Sequence, residues 1–483
     1  MKRHVWKGVG LTGSAAALVV ATSVPAAAGG VPAAPHGPEN VIVLIGDGMG
    51  YNQISQASLY AHGTSYTEVV SDGEGGVREV RGTPTEVYES FPVQVDMQTF
   101  PEGGSYDPQR AWTDFDYVAE GATDSAAAGT AMASGTKTTN GALGVDAQGN
   151  PVENLSERAI AQGKSAGVVS SVPYSHATPA AYVAHEADRN NYHEIADQEL
   201  ASELSVVMGA GHPYFDDSHE RLDEPEYGYM SEESYEALAA GETDWSYIEE
   251  ASDFEDLASG ETPERVFGIP QVGSTLQQGR AGDSDEPYGD PLNDVPSLAT
   301  MTAGALNVLD ENPDGFSLMV EGGAIDWSGH ANDSARNIEE TLEFNEAVET
   351  VTDWVEENSS WRETLVIVTA DHETGYLEGA DANPDWTALT GQAGEVPNVS
   401  WNSTNHTNML VPVFAQGAGA KELGRLADMT DPVRGAYLDN TDLANLFLED
   451  FWADRSGNGN GNGNAHGHGH GHGRGQGHGH GNR

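Results

Sequence analysis

Eight side chains in this sequence have the character of metal ligands, and one serine has the character of a nucleophile. Asp326 and His330 stand four residues apart, a spacing that lets both reach one ion. Asp371 and His372 are adjacent, and both can reach a metal where the backbone is irregular. Asp47, Thr178, Glu321 and His406 complete the set. Imidazole and carboxylate together suit zinc, and an all-oxygen set suits magnesium. The chain has no cysteine, so disulfides and thiolate sites are excluded. One such histidine alone would read as a hydrogen-bonded structural residue; the recurrence of the pattern points to a metal cluster. Ser125 opens the run Asp124-Ser125-Ala126-Ala127-Ala128, which reads as a helix start with Asp124 as its N-cap. Free N–H groups and the helix dipole favour an anion there, so a covalent adduct on Ser125 would be stabilised. The plainer alternative is that Ser125 only helps to cap an alanine-rich helix.

These residues need elements that bring them together. Val41-Ile42-Val43-Leu44-Ile45 is a continuous apolar run, as of a strand buried on both faces. It ends in Gly46-Asp47-Gly48-Met49-Gly50, which leaves Asp47 at the carboxyl end. Further strands are expected at 166–172, 205–208, 316–320 and 365–369, with helices at 153–162 and 190–204 and a helical face marked by Ile338, Leu342, Val348, Val351 and Val355. Strands alternating with helices predict an α/β fold, a large, mostly parallel sheet sandwiched between helices. All the candidate ligands except His406 follow strands, so parallel strands deliver them to one edge. His406 comes just before the segment 410–415. That segment carries Pro412 and is expected to be an edge or irregular strand.

Acids outnumber bases 76 to 21 in the 483 residues, a formal charge of −55, and Lys2, Lys7, Lys137, Lys164 and Lys421 are the only lysines. This argues against nucleic-acid and anionic-membrane surfaces. The dispersed acidity self-repels unless salt screens it, which implies a salt-rich environment. Residues 1–28 resemble an export signal: Lys2, Arg3 and Lys7, an apolar stretch, then Ala26-Ala27-Ala28. Lys2-Arg3 gives it a twin-arginine-like start, and the mature chain is expected to carry no membrane span. The catalytic domain is expected over 29–455, with an acidic insertion at the sheet's rim over about 212–293. The Gly/Asn/His-rich tail 456–483, with six histidines, cannot form a core and is either a loose transition-metal binder or a spacer. His185, His193 and His212 lack acids at ligand spacing and read as structural. Asn332-Asp333-Ser334 and Asn398-Val399-Ser400 are only weak glycosylation matches.

Gly46–Gly50, Asp124-Ser125-Ala126, Thr138–Gly144, His176–Pro179, Glu321–His330, Thr369–His372 and His406 together resemble the alkaline phosphatase family, from about Asn40 to Gly417. The resemblance implies a phosphomonoester hydrolase, commonly a homodimer, with two zinc ions and one magnesium. It implies Ser125 as the phosphorylated nucleophile. Asp326, His330 and His406 would hold one zinc, and Asp47, Asp371 and His372 the second. Asp47, Thr178 and Glu321 would hold magnesium or another divalent ion. Arg189 matches the arginine that grips phosphate, oriented by Asp124; a planar guanidinium can hold two oxygens where lysine cannot. His176 and Trp327 stand where the best-known bacterial pattern has Asp and Lys. The alternatives are a phosphodiesterase or other superfamily hydrolase, or a metal- or phosphate-scavenging binder.

Overall fold

The computed structural model describes residues 37–73, 76–282 and 284–453. The export segment, and all of the tail 456–483, lie outside the described residues. Eleven strands form the main sheet: β1 (Asn40–Gly46), β2 (Val93–Gln98), β3 (Ser165–Pro173), β4 (Val206–Ala210), β5 (Ser246–Ile248), β6 (Val266–Gly268), β7 (Phe316–Gly322), β8 (Thr364–Ala370), β9 (Val411–Gly417), β10 (Met429–Asp431) and β11 (Gly435–Asp439). Their order across the sheet is β10-β11-β2-β9-β8-β1-β7-β3-β4-β6-β5. The helices that matter for the site are α1 (Tyr51–His62), α2 (Ser125–Ser134), α3 (Ala177–Ala181), α4 (Ala324–Ala331) and α5 (Ser334–Asn358). The architecture is the expected α/β sheet flanked by helices. No described helix is long and apolar enough to cross a membrane.

Parallel pairing runs unbroken from β8 through β1, β7, β3, β4 and β6 to β5. The central strands are buried along their whole length, which their apolar runs require. Register then sets the site. Gly46 pairs with Ala370 on one side and Gly322 on the other, so Asp47 and Asp371 emerge side by side beyond the sheet. Glu321 pairs with Ile45 and with Ser170, one step below them.

Two expectations change. The segment with Pro412 is no edge strand: β9 lies between β8 and β2, antiparallel to both. Its ladder with β8 starts only at Val413, and the Pro412 carbonyl accepts from the Thr369 hydroxyl at 2.8 Å. The missing N–H therefore falls just beyond the last paired residues of that ladder, where proline removes none of its pairs. Because β9 runs backwards, its entrance lies at the parallel strands' exit, and His406 arrives where the other candidates do. The acidic segment also does more than cover the rim. It contributes β5 and β6, which extend the sheet to its far edge.

Candidate active site

Asp124 caps α2 by accepting the Ala127 N–H at 2.9 Å, which places Ser125 on the first turn and buries it. The Ser125 Oγ lies 3.3 Å from His372 Nε2. The other Asp124 oxygen accepts from the Gly141 N–H at 2.9 Å and from Arg189 Nη1 at 3.1 Å. Arg189 Nη2 donates to His176 Nε2 at 3.3 Å. The guanidinium is thus fixed at two corners beside the helix N-terminus, an arrangement suited to an anion.

The candidate ligands form two groups that share His372. Asp326, His372 and His406 can each aim one atom at a common point, and so can Asp47, Asp371 and His372. Asp326 lies 3.4 Å from His406 Nε2 and 3.4 Å from His330 Nε2 through its two oxygens. His330 Nδ1 is 2.6 Å from the Thr404 carbonyl and His406 Nδ1 is 2.8 Å from the Thr123 carbonyl. A carbonyl only accepts, so each Nδ1 carries the proton and each Nε2 is free to coordinate, the usual device for orienting a ligand histidine. In the second group His372 Nε2 is 3.2 Å from Asp371 and 3.6 Å from Asp47. Gly48, at φ 70°, lets its N–H donate to Asp371 Oδ1 at 3.1 Å; a side chain there would meet Asp326 and Thr374. A third, all-oxygen group lies beside these: the Thr178 hydroxyl is 3.5 Å from Asp47 Oδ2, and Glu321 accepts from the Ser170 hydroxyl.

Asp47, Glu321, Asp326 and Asp371 are all buried, with Arg189 beside them. Burial, then Asp371, Asp326 and Glu321, hold the Asp47 carboxyl well above the usual range. Burial pushes Glu321 up to about 7 against its Ser170 and Thr178 hydrogen bonds. Burial and Asp326 push Asp371 up to about 7. Asp326 alone goes down: burial opposes this, but the His406 hydrogen bond and the three imidazoles outweigh it. His406 rises to about 9, because Asp326 overcomes the effect of burial. Burial and His406 depress His372, and burial and Arg189 bring His176 to about 3. Asp47 Oδ1 and Glu321 Oε1 accept no hydrogen bond. Unpaired carboxylate oxygens at this depth are costly without a cation, so the donor set fits divalent metal.

The alkaline phosphatase family model matches residues 38–396. The chain belongs to the alkaline phosphatase family. Its members are metal-dependent phosphomonoester hydrolases, and this chain is one of those enzymes. It is 31% identical over 434 residues to alkaline phosphatase H of Pseudomonas aeruginosa, covering 81% of this chain and 83% of that protein. It is 29% identical over 457 residues to alkaline phosphatase 4 of Bacillus subtilis, covering 81% and 86%. The solved alkaline phosphatase of the Antarctic bacterium TAB5 is similar at TM-score 0.59 and 26% identity, over 86% of this chain and all of that one. A His-to-Asp variant of the TAB5 enzyme has magnesium bound in its M3 site; it is similar at TM-score 0.58 and 25% identity, over 86% of this chain and 99% of that one. The family match stops short of His406, yet the geometry brings His406 onto Asp326.

Every candidate catalytic or metal-binding residue named from the sequence in 40–417 lies in or beside this cluster. Trp327, on α4 between Asp326 and His330, sets its ring 5.6 Å from that of His176. His185, His193 and His212 are held elsewhere, by Gly144 and Glu157, by the Tyr227 carbonyl, and by Glu249. The acids facing His185 and His212 come from distant sequence, so spacing did not reveal them. Sequence reasoning also missed Thr374. Its hydroxyl donates to Asp326 Oδ1 and lies 3.2 Å from His372 Nδ1, linking the two groups. Threonine carries no sequence signal for such a place; only its nearness to Asp371-His372 was available.

Proposed function

We propose that the chain hydrolyses phosphate monoesters through a phosphoserine on Ser125. The observation that carries this is the Ser125 hydroxyl at a capped helix N-terminus, 3.3 Å from His372 Nε2 and beside a doubly anchored arginine. On this reading Asp326, His330 and His406 hold one zinc ion and Asp47, Asp371 and His372 a second. Asp47, Thr178 and Glu321 hold magnesium, the hard cation that suits their oxygens. Bound metal supplies positive charge at the attacking and leaving oxygens and a water of lowered pKa. The chain's own residues do the rest. Arg189, oriented by Asp124, binds phosphate oxygens, and the first N–H groups of α2 face the anion. The Ser125 Oγ–P bond forms as the ester P–O bond breaks, and water then displaces Ser125. Two in-line steps retain configuration at phosphorus.

His176 and Trp327 set how tightly product is held. Trp327 offers no cation to phosphate, and His176 occupies one corner of Arg189. Both should favour release of phosphate. Export by the leader, a salt-rich environment and a homodimeric state belong to the same proposal. The test is p-nitrophenyl phosphate hydrolysis in high salt for wild type and Ser125→Ala, before and after chelation and return of zinc and magnesium. Loss of nearly all activity in Ser125→Ala, and a chelation loss that the metals reverse, supports the reading. A fully active Ser125→Ala enzyme refutes the covalent route, and activity that survives thorough chelation refutes the metal site.

A further inference from the structure

We infer that Glu373 is a positioning residue that fixes the two imidazoles of His372 and His406 relative to each other. The inference rests on the metal-site reading above. Glu373 directly follows His372, and Thr407 directly follows His406. The two segments form a short antiparallel ladder in which Glu373 pairs with Thr407 and Thr374 with His406. Side chains alternate across a strand, so Glu373 and Thr407 share the side away from Thr374 and His406. On that far side the Thr407 hydroxyl donates to Glu373 Oε2 at 2.6 Å. Glu373 Oε1 accepts from Gln53 Nε2 at 2.9 Å and from the Leu377 N–H at 3.0 Å. Gln53 lies on α1, the helix that follows the Asp47 turn, and it donates as well to the Thr374 carbonyl at 2.8 Å.

One buried carboxylate therefore ties three segments that each bring a candidate ligand: the Asp47 turn through α1, the Asp371-His372 segment, and the His406 segment. On the near side the His372 and His406 rings stack with centroids 3.6 Å apart. Their spacing depends on the ladder, and the ladder is closed from behind by Glu373. The Asp47 turn is shaped around this side chain. A methyl group on Gly50 would stand 2.5 Å from Glu373 Cγ, so glycine there leaves room for the carboxylate to pass. Glutamine can replace the geometry without the charge. Its amide oxygen can accept from Gln53 and Leu377, and its amide nitrogen can donate to a rotated Thr407 hydroxyl.

The test is zinc binding by metal-free protein in competition with a chromophoric chelator, with folding checked by circular dichroism. The variants are Glu373→Leu, Glu373→Gln and Thr407→Val, with kcat/KM measured alongside. Glu373→Leu and Thr407→Val should weaken zinc binding about tenfold or more, the usual effect of losing an outer partner of a ligand. Glu373→Gln should stay within about threefold of wild type. If Glu373→Leu does not fold, Thr407→Val decides, because it removes one hydroxyl at nearly constant volume. Folded variants that bind zinc as wild type does, with only a lower Tm, would overturn the inference. So would a loss in Glu373→Gln as deep as in Glu373→Leu. Wild-type protein that binds no zinc would instead overturn the metal-site reading, and this inference with it.

Discussion

Arg189→Lys separates positioning from charge at the proposed phosphate site. A guanidinium has five N–H donors in a fixed plane. Here Nη1 is directed to Asp124 at 3.1 Å and Nη2 to His176 at 3.3 Å, so the plane is set before substrate arrives. Lysine keeps the charge but offers its donors from one freely turning point, and it cannot hold two phosphate oxygens in one plane. Losing one hydrogen bond to a charged oxygen costs about 1.5–3 kcal/mol, roughly 10- to 150-fold in kcat/KM. Asp124→Asn should do less. Its amide oxygen still caps α2, because asparagine is as good an N-cap as aspartate. The ion pair it removes is partly exposed, at 17% and 20% for the two side chains, and contributes about 1 kcal/mol or below. The new amide nitrogen also leaves the Gly141 N–H without its acceptor, about 1 kcal/mol more, so the loss is roughly 5- to 30-fold. The assay is kcat/KM for p-nitrophenyl phosphate with the inhibition constant of inorganic phosphate, on both single variants and the double. Inhibition should weaken in step with kcat/KM, and the double variant should fall short of the summed effects. Arg189→Lys within threefold of wild type, or a strictly additive double variant, would refute the reasoning.

Chelation should lower Tm, and by more at pH 9 than at pH 6. Glu321 and Asp371 have pKa values raised to about 7 in the metal-free fold, so it holds their protons at pH 6 and has lost them at pH 9. A raised folded pKa means stability is lost as pH climbs through it, and equal losses of Tm at the two pH values would contradict this. Glu199→Gln should raise Tm at pH 9 and leave it nearly unchanged at pH 4. Glu199 is fully buried, neither oxygen is hydrogen-bonded, and burial holds its pKa well above the usual value, so the folded chain resists losing that proton as pH rises. A lower Tm than wild type at pH 9 would count against it. Trp327→Lys should tighten inhibition by inorganic phosphate and slow turnover if release is limiting; an unchanged inhibition constant would remove the role given to Trp327.

Much of the site was legible because parallel strands obey one rule. An apolar run that ends in an acid predicts a carboxylate at the sheet's exit edge; Asp47 follows such a run through Gly46, Asp371 through Ala370, and Glu321 directly after Val320. What pattern did not reveal was set by pairing over long distances. Pro412 argued for an edge because a proline lacks a donor, but the ladder with β8 had ended before it. The outer strands β5 and β6 are three residues each, too short to show a period against an acidic background. Thr374 and Glu373 carry no signature of their own, since their value comes from which neighbours the ladder with His406 gives them.

The reversed strand β9 has a bearing on how the enzyme comes into being. It enters between β2 and β8, both of which precede it in the chain. Until it does, the sheet stands in two parts with two open edges, and the cluster lacks one imidazole. Its pairing with β2 joins Val95 to Val413, and closing so long a loop is slow. A nascent chain could therefore carry Ser125, Arg189 and all four candidate acid ligands while its metal site is unfinished. Activity would appear only when the last segments zip in, so maturation of the catalyst and closure of the sheet are a single event.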